Sequence, residues 1–191
     1  MMDLIAIAQA GFLVGLAELG DKSQLVLLTL ATRYSAAPVL LGAVAAFAVL
    51  NAVAAVFGGV LSAAVDPLWV DLGAGLLFLF FGLSALLRPP QEEEEGGARP
   101  KLRSPLLLAF AMVFVAELGD KTQFTVAGLA SITTPLDAWI GATLGLALTT
   151  ALVTLTSRSL VERVPKKTLF TLSGALFAGV GLWTLAAAAM R

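Results

Sequence analysis

The sequence predicts an all-α integral membrane protein, with six transmembrane helices that form two inverted three-helix repeats. Three observations lead to this prediction. The chain of 191 residues is 59% hydrophobic and only 13% charged, whereas about one quarter of the residues in a soluble domain are charged. Six apolar segments are long enough to cross a bilayer. Many residues also recur 99 positions further along the chain, which indicates an internal duplication.

Each apolar segment is predicted to be one helix, because backbone in contact with lipid must satisfy its own hydrogen bonds. A membrane barrel would instead require alternating segments of about 10 residues, and the sequence has none. The six segments cover approximately residues 4–32, 38–64, 68–87, 105–131, 136–160 and 168–190.

The two repeats comprise residues 1–88 and 105–191, and together they form one membrane domain. Residues 89–104 lie between them and contain prolines, glycines and a run of glutamates, a composition that cannot form a packed core. We therefore expect a flexible linker. Its acidic run is either a solvated tether or a means of collecting cations near the transport path.

The repeat extends beyond any single motif, and three pairs of glycines occur at the same offset: Gly42 and Gly141, Gly75 and Gly174, Gly82 and Gly181. Because each half has an odd number of spans, the two halves must insert with opposite orientations. This is the plan of many secondary transporters, whose sites lie near the midplane at the interface between the repeats.

Lysines and arginines in the loops predict the orientation. One side of the membrane would carry Arg33, Arg88, Arg99, Lys101, Arg103, Arg158, Arg163, Lys166 and Lys167, and the other only Arg191. Loops rich in these residues remain in the cytoplasm. We therefore expect the linker to be cytoplasmic and both termini to lie outside.

One charged heptapeptide occurs in the first apolar segment of each repeat. Residues 18–24 read Glu-Leu-Gly-Asp-Lys-Ser-Gln, and residues 117–123 read Glu-Leu-Gly-Asp-Lys-Thr-Gln. Ionisable groups inside a membrane are costly and usually functional. The predicted metal ligands are Glu18, Asp21, Ser23, Gln24, Glu117, Asp120, Thr122 and Gln123, and the predicted counter-ions are Lys22 and Lys121.

The composition restricts the ion that such a site could hold. The chain has no cysteine and no histidine, so a metal must be bound by oxygen, which favours Mg²⁺, Ca²⁺ or Mn²⁺. The acids and lysines of both motifs sum to a charge that one divalent cation neutralises. Close, buried carboxylates resist being charged together, so an empty site should take up protons. Competition between metal and protons predicts cation/proton exchange.

Both motifs are predicted to lie about mid-helix, where Glu18 and Asp21 would share one helix face. Gly20 and Gly119 would either allow close helix contact or open the backbone so that carbonyl groups become ligands. A purely structural interpretation, with a salt bridge between the Glu and the Lys of each motif, would leave the two aspartates unexplained.

Other polar and small residues are assigned structural roles. We expect Asn51 and its repeat equivalent Thr150 to form helix–helix hydrogen bonds, the other threonines of the fifth segment to contribute to packing, and Asp137 to lie at the solvated outer surface. Small residues four positions apart predict close helix contacts within the protomer, and the same spacing suits the face of a homodimer: Gly11, Gly15, Gly141 and Gly145.

The motif Glu-x-Gly-Asp-(Lys/Arg)-(Ser/Thr), present once in each repeat, resembles the signature of the Gdt-type family of Ca²⁺/Mn²⁺:H⁺ exchangers, whose bacterial members include manganese exporters. Both copies match every defined position, and the resemblance covers the whole chain. It implies export of Mn²⁺ from the cytosol, driven by inward proton flow, with the acidic motif residues binding the ion. It implies no enzymatic activity and no resident cofactor, and for a chain this short it implies a location in the bacterial inner (plasma) membrane. The partners would be the lipid bilayer and the transported Mn²⁺ or Ca²⁺, and the net charge of −1 gives no field that would favour a nucleic-acid partner.

The residues alone leave other functions open. A carrier or channel for another substrate, such as Mg²⁺ or a basic amino acid, would also suit this architecture. The two Gly-Asp dipeptides superficially resemble the motif of an intramembrane aspartyl protease. However, a glutamate lies three positions before each aspartate, and the adjacent lysine would keep that aspartate ionised, whereas a catalytic dyad must share a proton.

Overall fold

The computed structural model describes residues 2–19, 23–24, 27, 30–31, 34–87, 104–155 and 166–190. These residues contain seven helices: α1 (Leu4–Glu18), α2 (Ala36–Ala64), α3 (Pro67–Leu87), α4 (Pro105–Glu117), α5 (Lys121–Ile132), α6 (Pro135–Leu155) and α7 (Lys166–Ala189). Ser23, Gln24, Leu27, Leu30 and Ala31 are also helical. The predicted linker, apart from Ser104, and most of the basic loop residues lie outside the described residues.

Local sequence explains where the first helix of each repeat begins. The Asp3 Oδ1 atom accepts hydrogen bonds from the backbone N–H groups of Ile5 and Ala6, at 2.9 and 3.3 Å. These bonds satisfy donors that the first turn of α1 cannot satisfy itself. Pro105 stands in the first turn of α4, where its missing N–H removes no helical hydrogen bond.

The two segments that carry the motifs are broken, which contradicts the prediction of one continuous helix in each. α1 ends at Glu18, and Leu19 after it is extended, with ψ 119°. α4 ends at Glu117 and α5 begins at Lys121. Between them Gly119 has φ +80°, a conformation that glycine adopts readily and other residues avoid. Hydropathy extends through the break, so it could not reveal it.

Contacts between the two halves occur in pairs with the same offset of 99. α1 packs against α6, and α2 packs against α4. Gly141 of α6 lies against Ile7 of α1, and Gly42 of α2 lies against Leu106 of α4. Gly42 is the repeat equivalent of Gly141, and Leu106 is the repeat equivalent of Ile7. The halves therefore contact each other through equivalent surfaces.

The third helices of the two halves, α3 and α7, form the most extensive helix pair. Phe78 and Phe177 are repeat equivalents, and their rings stack with centroids 6.1 Å apart. A Cβ atom on Gly82 would lie 2.8 Å from the carbonyl oxygen of Gly174. The close approach of these helices therefore depends on glycine.

The glycines spaced four apart also contact each other within the protomer, as predicted. A Cβ atom on Gly11 would lie 2.9 Å from the carbonyl oxygen of Gly141, and one on Gly15 would lie 3.0 Å from that of Gly145. These contacts bring α1 and α6 together, whereas the homodimer face stays a prediction.

The outward-facing side chains are strongly apolar. Leu87, Leu148 and Trp183 are 77%, 74% and 76% exposed, and a surrounding bilayer would cover such surfaces. By length and hydropathy, three helices in the described ranges could cross a membrane: Ala36–Ala64, Pro67–Ser84 and Pro135–Leu155. α1 and α4 are shorter, because both end at the motif.

Two polar side chains join helices, Asn51 as expected and Thr149 in addition. The Asn51 Nδ2 atom donates to Thr143 Oγ1 at 3.2 Å, and the Thr149 hydroxyl donates to the Gly15 carbonyl at 3.1 Å. The Thr150 hydroxyl, also buried, has no hydrogen-bond partner in the described part of the chain.

Asp137 does not lie at a solvated surface, so that prediction was wrong. It is only 1% exposed. Its backbone N–H donates to Thr134 Oγ1 at 3.1 Å, and the Thr134 hydroxyl donates back to Asp137 Oδ2 at 2.8 Å. The Thr134 hydroxyl thus caps the start of α6 by accepting a hydrogen bond from a backbone N–H of the first turn.

Candidate metal centre

Three acidic side chains from the two repeats meet inside the protein. Glu18 is the last residue of α1, Glu117 is the last residue of α4, and Asp120 directly precedes α5. One carboxylate oxygen from each lies within 4.8 Å of the other two. Glu18 and Glu117 are 0% and 4% exposed, and Asp120 is partly buried. The cluster is thus shielded from bulk solvent.

Glu18 is fixed by one hydroxyl group from each repeat. Its Oε1 atom accepts a hydrogen bond from Ser23 Oγ at 3.0 Å, and its Oε2 atom accepts one from Thr122 Oγ1 at 2.8 Å. Hydrogen bonds to a charged carboxylate are stronger than those between neutral groups. The Thr122 bond joins the second motif to the first, so the two copies form one cluster.

Glu117 is less fully bonded than Glu18. Its Oε2 atom is buried and has no hydrogen-bond partner among the residues that the structure describes. A buried acceptor without a partner is costly, and neighbouring carboxylates repel one another. Glu117 is therefore the position in the cluster that most needs a cation or a proton.

A turn, and not a shared helix face, brings Glu117 and Asp120 together. The Asp120 N–H donates to the Glu117 carbonyl at 3.1 Å, and the Gln123 N–H donates to the Asp120 carbonyl at 3.1 Å. The positive φ of Gly119 makes this turn possible. The predicted mid-helix geometry was wrong for this copy.

The two glutamines of the motifs differ in their surroundings. The Gln123 Nε2 atom donates to the backbone carbonyl of Glu117 at 2.6 Å, so this carboxamide is bonded to the open end of α4. Gln24 is only 2% exposed. Neither its Nε2 nor its Oε1 atom has a hydrogen-bond partner in the described ranges.

The remaining predicted positions divide into two groups. Asp21 and Lys22 lie outside the described residues. Lys121 begins α5, and its backbone carbonyl accepts a hydrogen bond from the Thr125 hydroxyl at 2.8 Å. Thr125 is buried and supports the first turn of α5, yet it was not among the predicted residues. Its repeat equivalent is Val26, so the duplication gave no signal for it.

The assembled donors are carboxylate, hydroxyl and carboxamide groups. Hard divalent cations take six to eight oxygen ligands. The unpartnered Oε2 atom of Glu117 and Oε1 atom of Gln24 are both acceptors, which suits a positively charged ligand. The cluster can therefore bind a divalent cation, or protons in its place.

The sequence matches the profile of the family described as divalent cation/proton antiporter GDT1, over residues 6–93 and again over residues 105–191. The two matched ranges correspond closely to the two repeats. No solved structure matches the chain.

Several plant proteins are similar to this chain. GDT1-like protein 3 of Oryza sativa subsp. indica is 27% identical over 186 residues, which cover 85% of this chain and 67% of the relative. Protein PAM71, chloroplastic, of Arabidopsis thaliana is 29% identical over 198 residues, which cover 89% of this chain and 54% of the relative.

Proposed function

The chain belongs to the GDT1 family of divalent cation/proton antiporters, and we propose that it exports Mn²⁺ from the cytosol in exchange for protons, with Ca²⁺ as a second substrate. Family membership supports a transporter rather than an enzyme. The observation that carries the proposal is the buried cluster of three carboxylates contributed by both repeats.

The preference for Mn²⁺ rests on the donor chemistry and on the family resemblance. All available side-chain ligands are oxygen atoms, because the chain has no cysteine or histidine. Mg²⁺ gives up its bound waters reluctantly, so a protein cage favours a cation that dehydrates more easily. The proposed ligands are the eight side chains predicted from the motifs: Glu18, Asp21, Ser23, Gln24, Glu117, Asp120, Thr122 and Gln123.

Exchange follows from the repulsion within the cluster. Three carboxylates within 4.8 Å of one another cannot all stay charged in a low-dielectric interior unless a cation lies among them. Without the cation, protons neutralise part of the charge, and those protons belong to the cluster as a whole. Cation binding expels protons, and protonation expels the cation. Lys22 and Lys121 are the proposed counter-ions of the metal-free cluster.

Alternating access is proposed to use the duplication. The paired contacts of α1 with α6 and of α2 with α4 support two halves related by a pseudo-two-fold axis. In carriers of this plan, one repeat moves against the other around a central site. The six spans would be the three long helices, α7 and the two broken segments.

The proposed orientation in the cell membrane puts the linker in the cytoplasm and both termini outside, because loop lysines and arginines concentrate on one side. The absence of native cysteine allows a direct test. Tyr34→Cys and Thr133→Cys introduce thiols at exposed, repeat-equivalent turns. A membrane-impermeant thiol reagent applied outside should label only Thr133→Cys. Labelling of both variants from one side would contradict the inverted arrangement.

The decisive test of function is transport in proteoliposomes that contain the purified protein. An imposed pH gradient should drive Mn²⁺ movement against the proton flow, with Ca²⁺ slower and Mg²⁺ slowest. Glu18→Gln and Asp120→Asn should abolish both fluxes. Mn²⁺ movement without an opposing proton flux would indicate a channel, and normal exchange by the two variants would refute the proposed site.

A further inference from the structure

Gln24 and Gln123 occupy the same position in the two motif copies but differ in their hydrogen bonding. Each lies six positions after the glutamate that ends the preceding helix. Gln123 donates to the carbonyl of that glutamate, Glu117. Gln24 is equally placed in sequence relative to Glu18, yet both of its polar side-chain atoms are buried and without partners among the described residues. Equivalent residues are thus in two different states at once.

The bond made by Gln123 has a clear physical role. A helix that ends inside the protein leaves backbone carbonyls without intrahelical partners, and in a membrane interior water cannot supply the missing donors. The Gln123 carboxamide supplies a second donor to the Glu117 carbonyl at the end of α4, beside the Asp120 N–H. A buried carboxamide without any partner, as at Gln24, is unfavourable. That cost indicates that the Gln24 side chain has a partner in another conformation, or when the cation is bound.

We propose that Gln24 and Gln123 exchange these roles as the carrier moves between its two conformations, an inference that rests on the proposed exchange function. In the conformation described here, the Gln123 Nε2 atom holds the end of α4, whereas the Gln24 carboxamide has no hydrogen-bond partner among the described residues. In the opposite conformation, Gln24 donates to the Glu18 carbonyl at the end of α1, and Gln123 is released. Both glutamines are positioning residues for the helix ends that carry the acidic groups.

The duplication makes this exchange reasonable. The two halves share the motif and contact each other through equivalent surfaces, so a local arrangement formed by one half is also accessible to the other. A hydrogen bond that exists in only one conformation shifts the equilibrium toward that conformation. Two such bonds, one in each state, keep the conformations close in free energy, which a carrier needs in order to cycle.

The test compares Gln24→Leu, Gln123→Leu and the double variant. The apparent affinity for Mn²⁺ is measured at each face of vesicles into which the protein is inserted in one orientation. Because apparent affinity depends on the population of the competent state, the ratio of the two affinities reports the conformational equilibrium. If a glutamine also binds the ion in both conformations, removing it weakens both affinities equally and leaves their ratio unchanged.

We expect the two single variants to shift the ratio in opposite directions, each by about three- to tenfold, as the loss of one hydrogen bond predicts. Gln123→Leu destabilises the conformation described here, whereas Gln24→Leu destabilises the opposite one. The double variant should return the ratio to near the wild-type value. Gln24→Met and Gln123→Met, which also lack the donor, should reproduce both shifts if the leucine variants fold poorly.

Several outcomes would overturn the inference. If both single variants shift the ratio in the same direction, or lower the transport rate equally from both faces with no change in ratio, the glutamines are structural only. Wild-type Mn²⁺/proton exchange measured in the same vesicles separates the two proposals. Normal exchange with an unchanged ratio refutes only the role of the glutamines, whereas absence of exchange in the wild type refutes the proposed function and this inference together.

Discussion

Glu18 and Glu117 end equivalent helices in the two repeats, yet the protein holds them differently. Both oxygens of Glu18 accept hydroxyl hydrogen bonds, one from Ser23 and one from Thr122. Glu117 retains a buried oxygen with no partner in the described ranges. A duplicated motif has therefore produced one carboxylate whose hydrogen bonds are satisfied by the protein and one whose bonding is incomplete.

Because of this difference, the two glutamates have different roles in the cluster. Glu18 is a fixed anchor that joins the two repeats, because its hydrogen bonds come from both of them. Glu117 has unused acceptor capacity, so it gains most when a cation or a proton arrives. Substitutions at the two glutamates should have the largest effects, and those at the residues around them should have smaller ones.

Replacing either glutamate by glutamine should reduce Mn²⁺/proton exchange by at least about 100-fold, because loss of a buried charged ligand typically costs about 3 kcal/mol or more. The two variants should differ in thermal stability without metal. Glu18→Gln should lower the melting temperature, since glutamine keeps only one acceptor oxygen for the two hydroxyl donors, and that oxygen is neutral. Glu117→Gln should leave it unchanged or raise it, since a repelling charge is removed. Equal losses of stability would refute the contrast.

Gly119→Ala should disturb the turn that brings Glu117 and Asp120 together. An alanine in this left-handed conformation costs about 1–2 kcal/mol, so we expect roughly a tenfold loss of Mn²⁺ affinity and a lower melting temperature. A Cβ atom there would meet nothing within 4 Å, so the cost is purely conformational.

Gly179→Ala is the matched control, because Gly179 also has open space around it but no positive φ. Alanine favours a helix interior more than glycine does, so this variant should be neutral or slightly stabilising. A similar loss of affinity in both variants would show that the turn at Gly119 is not important for binding.

Ser23→Ala and Thr122→Val each remove one hydroxyl from Glu18. Hydrogen bonds to a charged group contribute about 1.5–3 kcal/mol. Without one hydroxyl the Glu18 carboxylate is more mobile, and its attraction to the bound ion would offset part of that loss. We expect the Michaelis constant for Mn²⁺ to rise about three- to tenfold in each variant. Thr125→Val, which removes a hydroxyl bonded within α5, should leave the Michaelis constant unchanged. An equal rise of the Michaelis constant in this control would contradict the special role of the hydroxyl groups bonded to Glu18.

The smallest effect is expected at Thr149, whose hydroxyl bonds the Gly15 carbonyl across α1 and α6. Thr149→Val should reduce the free energy of unfolding by about 1 kcal/mol, measured by denaturant titration in detergent. The affinity for Mn²⁺ should not change. A marked affinity loss would mean that the helix contact and the site cannot be separated.

Sequence reasoning anticipated that acidic side chains of both motifs would lie close together, but it did not predict their backbone geometry. Hydropathy and the offset of 99 were sufficient to identify the apolar helices and to pair Glu18 with Glu117. The same hydropathy concealed the breaks at both motifs, because the apolar sequence before and after each charged motif is long enough to be taken for one spanning helix. The geometry of the second motif depends on the backbone conformation of Gly119, and the hydropathy of the sequence does not reveal that conformation.

The different states of the two glutamines could not be predicted for another reason. Gln24 and Gln123 are identical in type and in position within the motif, so the sequence treats them alike. Only the three-dimensional arrangement shows that one is bonded to a helix end and the other is buried without a partner. Asp137 was mispredicted because its partner Thr134 is a local cap, and the residue was judged by its expected depth alone.

The central claim is that the two motif copies form one shared cation site, and Mn²⁺ titration monitored by electron paramagnetic resonance tests it most directly. The purified protein should bind one Mn²⁺ per chain, and either Glu18→Gln or Glu117→Gln alone should abolish that binding. Two Mn²⁺ ions per chain, with each variant removing only one of them, would contradict the account.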